Sequence, residues 1–297
     1  MKRRKRTGKA TGPAIISAGA SSLKPPANRN SAARSAWPNH MLWQKAWLET
    51  RWRFISALLI LTVVAGSNVY DYLAAERLMP QLHATTTTPA VEATGLAGVI
   101  REAIEIQKDF RGFIWYQSFR QNLTQMGVFF AILLGCGGLL SESSKGSALF
   151  TLSLPVTRKQ LLGARTGAGL AQLFAIAMVP PLAISLLAPS IGQHYPIVDA
   201  LAHGICIFFA GAVFFSLASF LSTLFGDIWR PLLIGIGIAC VIAILQTVVP
   251  QLDIFRVMSG ESYFRTGSLP WTGFLTSAVI ATALLYSAAE TLERRDF

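Results

Sequence analysis

Residues Ala200–Phe225 read ALAHGICIFFAGAVFFSLASFLSTLF, an apolar run without a single Lys, Arg, Asp or Glu. As a helix such a run rises about 39 Å at 1.5 Å per residue, enough to cross roughly 30 Å of hydrocarbon. The missing charge matters most: one charged residue at the centre of a spanning helix costs about 2.5–3.5 kcal/mol, whereas a Leu returns only about 0.3–0.6 kcal/mol. Working outward, five more stretches have the same character: Phe54–Leu73, Leu123–Leu140, Thr166–Ala188, Leu232–Val249 and Trp271–Ala289. Asp71, Glu142 and Asp227 fall at the ends of these stretches. Six spans are therefore expected.

Composition agrees. The 297 residues are 52% hydrophobic and only 14% charged, with a mean hydropathy of +0.47, against about 25% charged residues in an ordinary soluble domain. The net charge of +11 is not a nucleic-acid footprint, which would spread as a stripe over a folded face; here the cations crowd the first 53 residues. No nucleic-acid partner is expected. Cys136, Cys206 and Cys240 each lie inside an apolar block with no Cys or His at metal-ligand spacing, and read as small buried residues.

Residues 1–40 hold Lys2, Arg3, Arg4, Lys5, Arg6, Lys9 and Lys24 among Gly, Pro, Ser, Asn and Ala, with no apolar periodicity. This composition predicts a disordered basic leader, dispensable for the fold, with Met41 as a candidate initiator. From Met41 the sequence MLWQKAWLETRWR puts Leu42, Trp43, Ala46 and Trp47 on one side of a helix and Gln44, Lys45 and Arg51 on the other, as expected of an amphipathic helix lying in the membrane interface. The alternative is a basic, aromatic flank of the first span. The division expected is thus a leader, 1–40, and a membrane domain, 41–297.

Cytoplasmic loops retain Lys and Arg. An inside N-terminus leaves Lys145, Arg158, Lys159 and Arg165 in the 141–165 loop, Arg230 in the Gly226–Pro231 turn, and Arg294 and Arg295 in the tail. Both termini are then cytoplasmic. The long first external loop has helical spacing of Ile100, Ile104, Phe110, Phe113 and Ile114 over 96–121, which predicts one or two short helices against the outer interface, with Trp115 and Tyr116 as interfacial anchors. His203 is expected near the outer end of the fourth span, bonding a neighbouring helix.

The loop between the second and third spans reads Ser141-Glu-Ser-Ser-Lys-Gly-Ser-Ala-Leu-Phe-Thr-Leu-Ser-Leu-Pro-Val-Thr-Arg-Lys-Gln-Leu-Leu-Gly163. It is too polar at its start to insert and too apolar in its middle to be a simple linker. Pro155 breaks any helix passing through it, and Thr157 with Gln160 has capping-box spacing, flanked by Val156 and Leu161 as a hydrophobic staple. A new helix is expected from about Arg158. Arg158 and Lys159 in its first turn oppose the macrodipole and call for an anionic neighbour, either lipid headgroups or an acidic patch on a docked subunit.

Glu142, Gly146, the run Leu152-Ser-Leu-Pro-Val-Thr-Arg158 and Gln160-Leu-Leu-Gly resemble the corresponding loop of type-2 ABC transporter permeases, and the ending Glu293-Arg-Arg-Asp-Phe297 is similar to that family's usual tail. The resemblance implies an N-terminal interfacial helix and six spans, pairing with a second permease, the same or homologous. It also implies two copies of a cytoplasmic ATPase that bind the ATP and Mg. By position, Glu142, Lys145, Gly146, Pro155 and Arg158 would lie at or beside the ATPase contact. The leader and the long first external loop depart from the simplest members of the family.

The chain has no G-x-x-x-x-G-K-[ST], so it lacks the usual loop for ATP phosphates and is not expected to bind a cofactor or act as an enzyme itself. There is no H-E-x-x-H and no intramembrane carboxylate pair. The fold expected is an all-α polytopic membrane protein of six transmembrane helices preceded by an interfacial amphipathic helix, both termini cytoplasmic. The function expected is that of the permease subunit of an exporter in the cytoplasmic membrane. A secondary transporter or a non-transporting membrane anchor is the alternative. The charge asymmetry predicts that, with the natural cysteines replaced, single cysteines at 85–88 react with an impermeant reagent on intact cells while those at 143–144 react only after permeabilisation. Labelling of the 143–144 site from outside would reverse the topology.

Overall fold

The structure, a computed structural model, describes residues 38–86, 97–137, 158–225, 227–246 and 254–294, and contains no strand among them. Its elements are α1 (Pro38–Thr86), α2 (Ala97–Ile106), α3 (Phe110–Ile114), a π-helical run (Trp115–Leu123), α4 (Thr124–Gly135), α5 (Arg158–Leu187), a 3-10 turn (Ala188–Ile191), α6 (Ile197–Leu224), α7 (Trp229–Leu245), α8 (Ile254–Ser259), α9 (Glu261–Thr266) and α10 (Trp271–Arg294). Among the described residues, four helices contain segments long and apolar enough to cross a membrane: Leu42–Leu78, Gln160–Ile191, Ile197–Leu224 and Trp271–Leu292. The expected second and fifth spans are shorter as helices. The second is the 12-residue α4 continued at its start by the π-helical run, and the fifth is the 17-residue α7.

The expected separate interfacial helix is not formed. Residues 38–86 are one 49-residue helix, about 74 Å long and thus longer than any hydrocarbon layer. The reason is a single buried stripe, Leu42, Ala46, Thr50, Ala57, Leu61, Ala65, Val69 and Tyr72, spaced by three or four residues except for one step of seven, which runs through both segments without a Pro to interrupt it. Leu42 and Ala46, expected with Trp43 and Trp47 on the side of an interfacial helix that meets the membrane, are buried against the bundle. Trp43 and Trp47 instead remain 42% and 38% exposed. Lipid offers no driving force for burying large apolar groups against another helix, so small residues mark the contact.

The centre of the bundle is α6, which contacts α4, α5, α7, α8 and α10. Within it, 67% of the most apolar window is buried, against 22–39% in the other three long helices. Close approach is permitted by residues without bulk: a Cβ on Gly135 of α4 would sit 2.4 Å from the Phe215 carbonyl oxygen, and one on Gly169 of α5 would meet the Phe215 ring at 2.5 Å. Pro180 and Pro181 do not interrupt α5. Pro181 has no N–H for the carbonyl of Ala177, and a Cβ on Gly204 of α6 would lie 3.0 Å from that same oxygen. The two helices approach where the ladder is broken.

The helices α1, α4, α5 and α6 alternate in direction along the chain, so that several pairs in contact are parallel. Trp43 meets Gly167 near the starts of α1 and α5, and Gly66 meets Leu187 further along both. α4 and α6 run against them, while the Phe209–Phe274 stack and the shared surroundings of Ser222 and Leu292 make α10 parallel to α6. Cys136 and Cys206 are buried as expected, but Cys240 is exposed on α7. Gly135→Leu is expected to lower stability by about 1–3 kcal/mol through overpacking. Gly237→Leu, with open space around the Cβ, is the control. Thermal unfolding in detergent measures both, and equal midpoints would contradict the close α4–α6 approach.

Candidate functional site at the roots of the 138–157 segment

Of the residues singled out in sequence, Glu142, Lys145, Gly146 and Pro155 lie outside the described residues, while Arg158 is the first residue of α5. α5 therefore starts where the Pro155 break and the Thr157 cap place it. What the structure describes is the frame from which residues 138–157 depart and to which they return.

The departing root is α4. A helix leaves its last carbonyls without intrahelical partners, and inside a membrane each such group is costly. α1 supplies the donor: Arg53 Nη1 donates to the carbonyl of Cys136 at 2.6 Å and to that of Leu133 at 3.3 Å. A cation at this end also complements the helix dipole. The next residue, Gly137, has φ +121°, and a Cβ there would lie 3.0 Å from both Arg53 Nη1 and Arg165 Nη2. Only glycine fits between the two guanidiniums in that conformation.

The returning root is the start of α5. Arg165 Nη1 lies 3.6 Å from Glu49 Oε2, and Lys45 Nζ lies 3.7 Å from the other oxygen of Glu49. Trp43 packs its ring over Gly167. Both roots are therefore fixed to one helix, α1, over three turns from Trp43 to Arg53. A small cavity of about 30 Å³ sits beside them, bordered by Thr50, Gly135, Arg165, Gly169, Phe215 and Thr223, with room for a water.

The opposite end of the bundle is locked differently. Asp199 at the start of α6 binds Arg111 of α3 at 2.6 Å and accepts from the Tyr263 hydroxyl of α9 at 2.9 Å. Burial and that hydrogen bond hold the Tyr263 phenol above its usual range, so it stays a donor. Arg265 bridges Glu261 at 2.7 Å and Glu102 of α2 at 3.0 Å. Trp115 is not an interfacial anchor: fully buried, it stacks on Phe264 at 4.4 Å and donates Nε1 to the Ser259 carbonyl. Tyr116 is half-buried. His203 lies in the first part of α6, as expected, and is buried against Phe119 at 4.3 Å.

Neither end has the geometry of a catalytic centre, and no group of three potential metal ligands occurs among the described residues. The arrangement of antiparallel apolar helices, with a segment clamped at both roots, belongs to a polytopic membrane protein. A family model of the ABC-2 family transporter proteins matches residues 48–288. The chain belongs to this family. None of the curated proteins and none of the solved structures matches it. The chain is thus an ABC transporter permease, the multi-pass membrane component of its transporter, in a family whose membrane component lacks the ATPase motif.

Arg53 and Glu49 were not singled out in sequence, and Gly137 reads there, with Gly135 and Gly138, as a residue allowing close packing of the second span. Arg53 reads there as one more cation ahead of a span, and its bond to a carbonyl 83 residues away leaves no local trace. In the permease, Arg53→Met should cost about 1.5–3 kcal/mol, the usual worth of hydrogen bonds to a charged group, and Arg53→Lys should recover part of it. The measurement is the unfolding midpoint of the purified protein in detergent. An unchanged midpoint for Arg53→Met would remove the α1–α4 clamp.

Proposed function

We propose that this permease is an exporter subunit of the cytoplasmic membrane with six spans and cytoplasmic termini. It pairs with a second permease, the same or homologous, and is driven by two copies of a separate ATPase that binds ATP and Mg. The observation that carries this reading is the double clamp: Arg53 holds the departing root of 138–157 and Glu49 the returning root, so force applied to that segment reaches α1, α4 and α5 together. Residues Glu142, Lys145, Gly146, Pro155 and Arg158 form or border the surface that meets the ATPase. On this reading Arg158 and Lys159 face acidic groups of the partner, which relieves their conflict with the helix dipole.

Further support comes from the other loop at the same end. The turn between α6 and α7 spans only a few residues and is tied on itself by Asp227 and Arg230 at 3.3 Å. It is too short to present a docked helix. The permease itself contributes no phosphate loop, so ATP chemistry is assigned to the partner. The absence of intramembrane acid pairs argues against a proton-driven secondary transporter.

Glu142→Lys and Arg158→Glu, singly and combined, are expected to leave the amount of protein in the membrane unchanged. ATPase co-purification should fall by about tenfold, equivalent to about 1.4 kcal/mol at the interface. Gly146→Trp should retain the partner but lower ATP hydrolysis. Wild-type abundance, co-purification and hydrolysis in the combined variant would remove this loop from the mechanism. A wild-type protein that purifies without any ATPase would favour the membrane-anchor reading.

A further inference from the structure

Nine consecutive residues, Trp115–Leu123, are π-helical between α3 and α4. Such runs are rare, usually a single turn, and they cluster at functional sites because the wide turn is held only by specific partners. Here the partners come from three sides. Asn68 of α1, 2% exposed, donates to the Ser118 hydroxyl at 2.9 Å and accepts from Asn122 at 3.2 Å. The Trp115 indole reaches the Ser259 carbonyl, and Phe119 lies flat on His203. At the lower edge, the Thr124 hydroxyl donates to the carbonyl of Phe119, five residues earlier, a bond that fits the π register.

Behind this run a single glycine packs against His203 and Cys206. Gly260, between α8 and α9, has φ +66°, and a Cβ there would lie 2.5 Å from His203 Nδ1 and 3.4 Å from the Cys206 sulfur. Cys206 is itself fully buried. His203 Nδ1 and the Tyr195 hydroxyl, on either side of Phe119, are buried without a hydrogen-bond partner. At its other end, the π-helical run continues directly into α4, whose terminus is the Arg53-clamped root.

We propose that the run Trp115–Leu123 is a reversible lock on the far end of the bundle: a shift of α4 along its axis converts it to α-helix and opens a water path to Cys206. The inference rests on the proposed coupling at the 138–157 roots. Conversion narrows the turn and rotates successive side chains, so Trp115, Ser118 and Phe119 leave Ser259, Asn68 and His203 together. Water then satisfies His203 and Tyr195. The contact at Gly260 parts, because the imidazole and the indole that flank it are no longer held.

Cys206 is a natural reporter. In permease carrying Cys136→Ala and Cys240→Ala, purified with its ATPase into nanodiscs, reaction of Cys206 with a charged, impermeant maleimide is followed by mass spectrometry, with ATP hydrolysis measured in the same sample. Faster labelling under ATP turnover is expected. Unchanged labelling in a complex that hydrolyses ATP would overturn the lock while leaving the coupling intact. The second arm needs no ATPase and therefore separates failure of the lock from failure of the coupling. In the isolated chain, Thr124→Val should speed Cys206 labelling about three- to tenfold, the equivalent of one lost neutral hydrogen bond, and Thr124→Ser should not. Equal rates for wild type and Thr124→Val would equally overturn it.

Discussion

The bond from Arg53 to the carbonyls of Leu133 and Cys136 is the constraint on which the arrangement depends. In water the end of α4 would need no help, since solvent satisfies the last carbonyls of a helix. Against a bundle surrounded by lipid the donor must come from the protein. Supplying it from α1 fixes more than a helix end. Arg53 sits between Thr50 and Ala57 of the stripe that packs α1 on the bundle, so α1 must continue as one rod past residue 53 for the donor to reach its acceptors. A hinge there would free the N-terminal turns to lie in the interface, but would also withdraw the guanidinium.

That rod in turn sets what α4 can be. Twelve residues give α4 a length of about 18 Å, short of the hydrocarbon thickness. The π-helical run extends it without a break, and its wide turns find partners in Asn68, Ser259 and the Thr124 hydroxyl. Asn68 is on α1, fifteen residues beyond Arg53. One helix therefore holds both ends of the same neighbour, and α4 links the roots of 138–157 to the opposite end of the bundle without an intervening loop.

The sequence reveals which segments are helices far better than which faces meet. Lack of charge locates the long apolar segments, and Pro155 with Thr157 and Gln160 locates the start of α5. Large apolar residues are a poor guide to the packing face, because Trp43, Trp47 and Trp52 gain little from leaving lipid for protein, whereas Ala57, Ala65, Gly135 and Gly169 allow backbones to approach. The same misdirection affects Trp115, whose aromatic–basic neighbourhood resembles an interfacial belt but whose indole is consumed by the Ser259 carbonyl. Helical periodicity carries no signal for the π-helical run, since its polar residues Ser118 and Asn122 have meaning only beside Asn68. The residues expected to meet an ATPase, apart from Arg158, lie outside the described part of the chain. The candidate site is known by its frame, Glu49, Arg53, Gly137 and Arg165, which only tertiary structure brings together.

The two ends of the bundle are held by different kinds of contact. Around the 138–157 roots the ion pairs are long, 3.6 and 3.7 Å, and partly solvated, so each contributes little on its own, and a cavity adjoins them. At the opposite end, short bonds from Asp199 to Arg111 and Tyr263 are backed by stacked Trp115–Phe264 and Phe119–His203 pairs. Stacked aromatic pairs add about 0.5–1.5 kcal/mol each beyond the area they bury. The short bond at the roots is the one from Arg53 to the Cys136 carbonyl, so the end of α4 is tied to α1 more closely than the start of α5 is. On the proposed coupling, force entering at the roots is carried along α4 into the π-helical run at the far end, with no loop between them to absorb it.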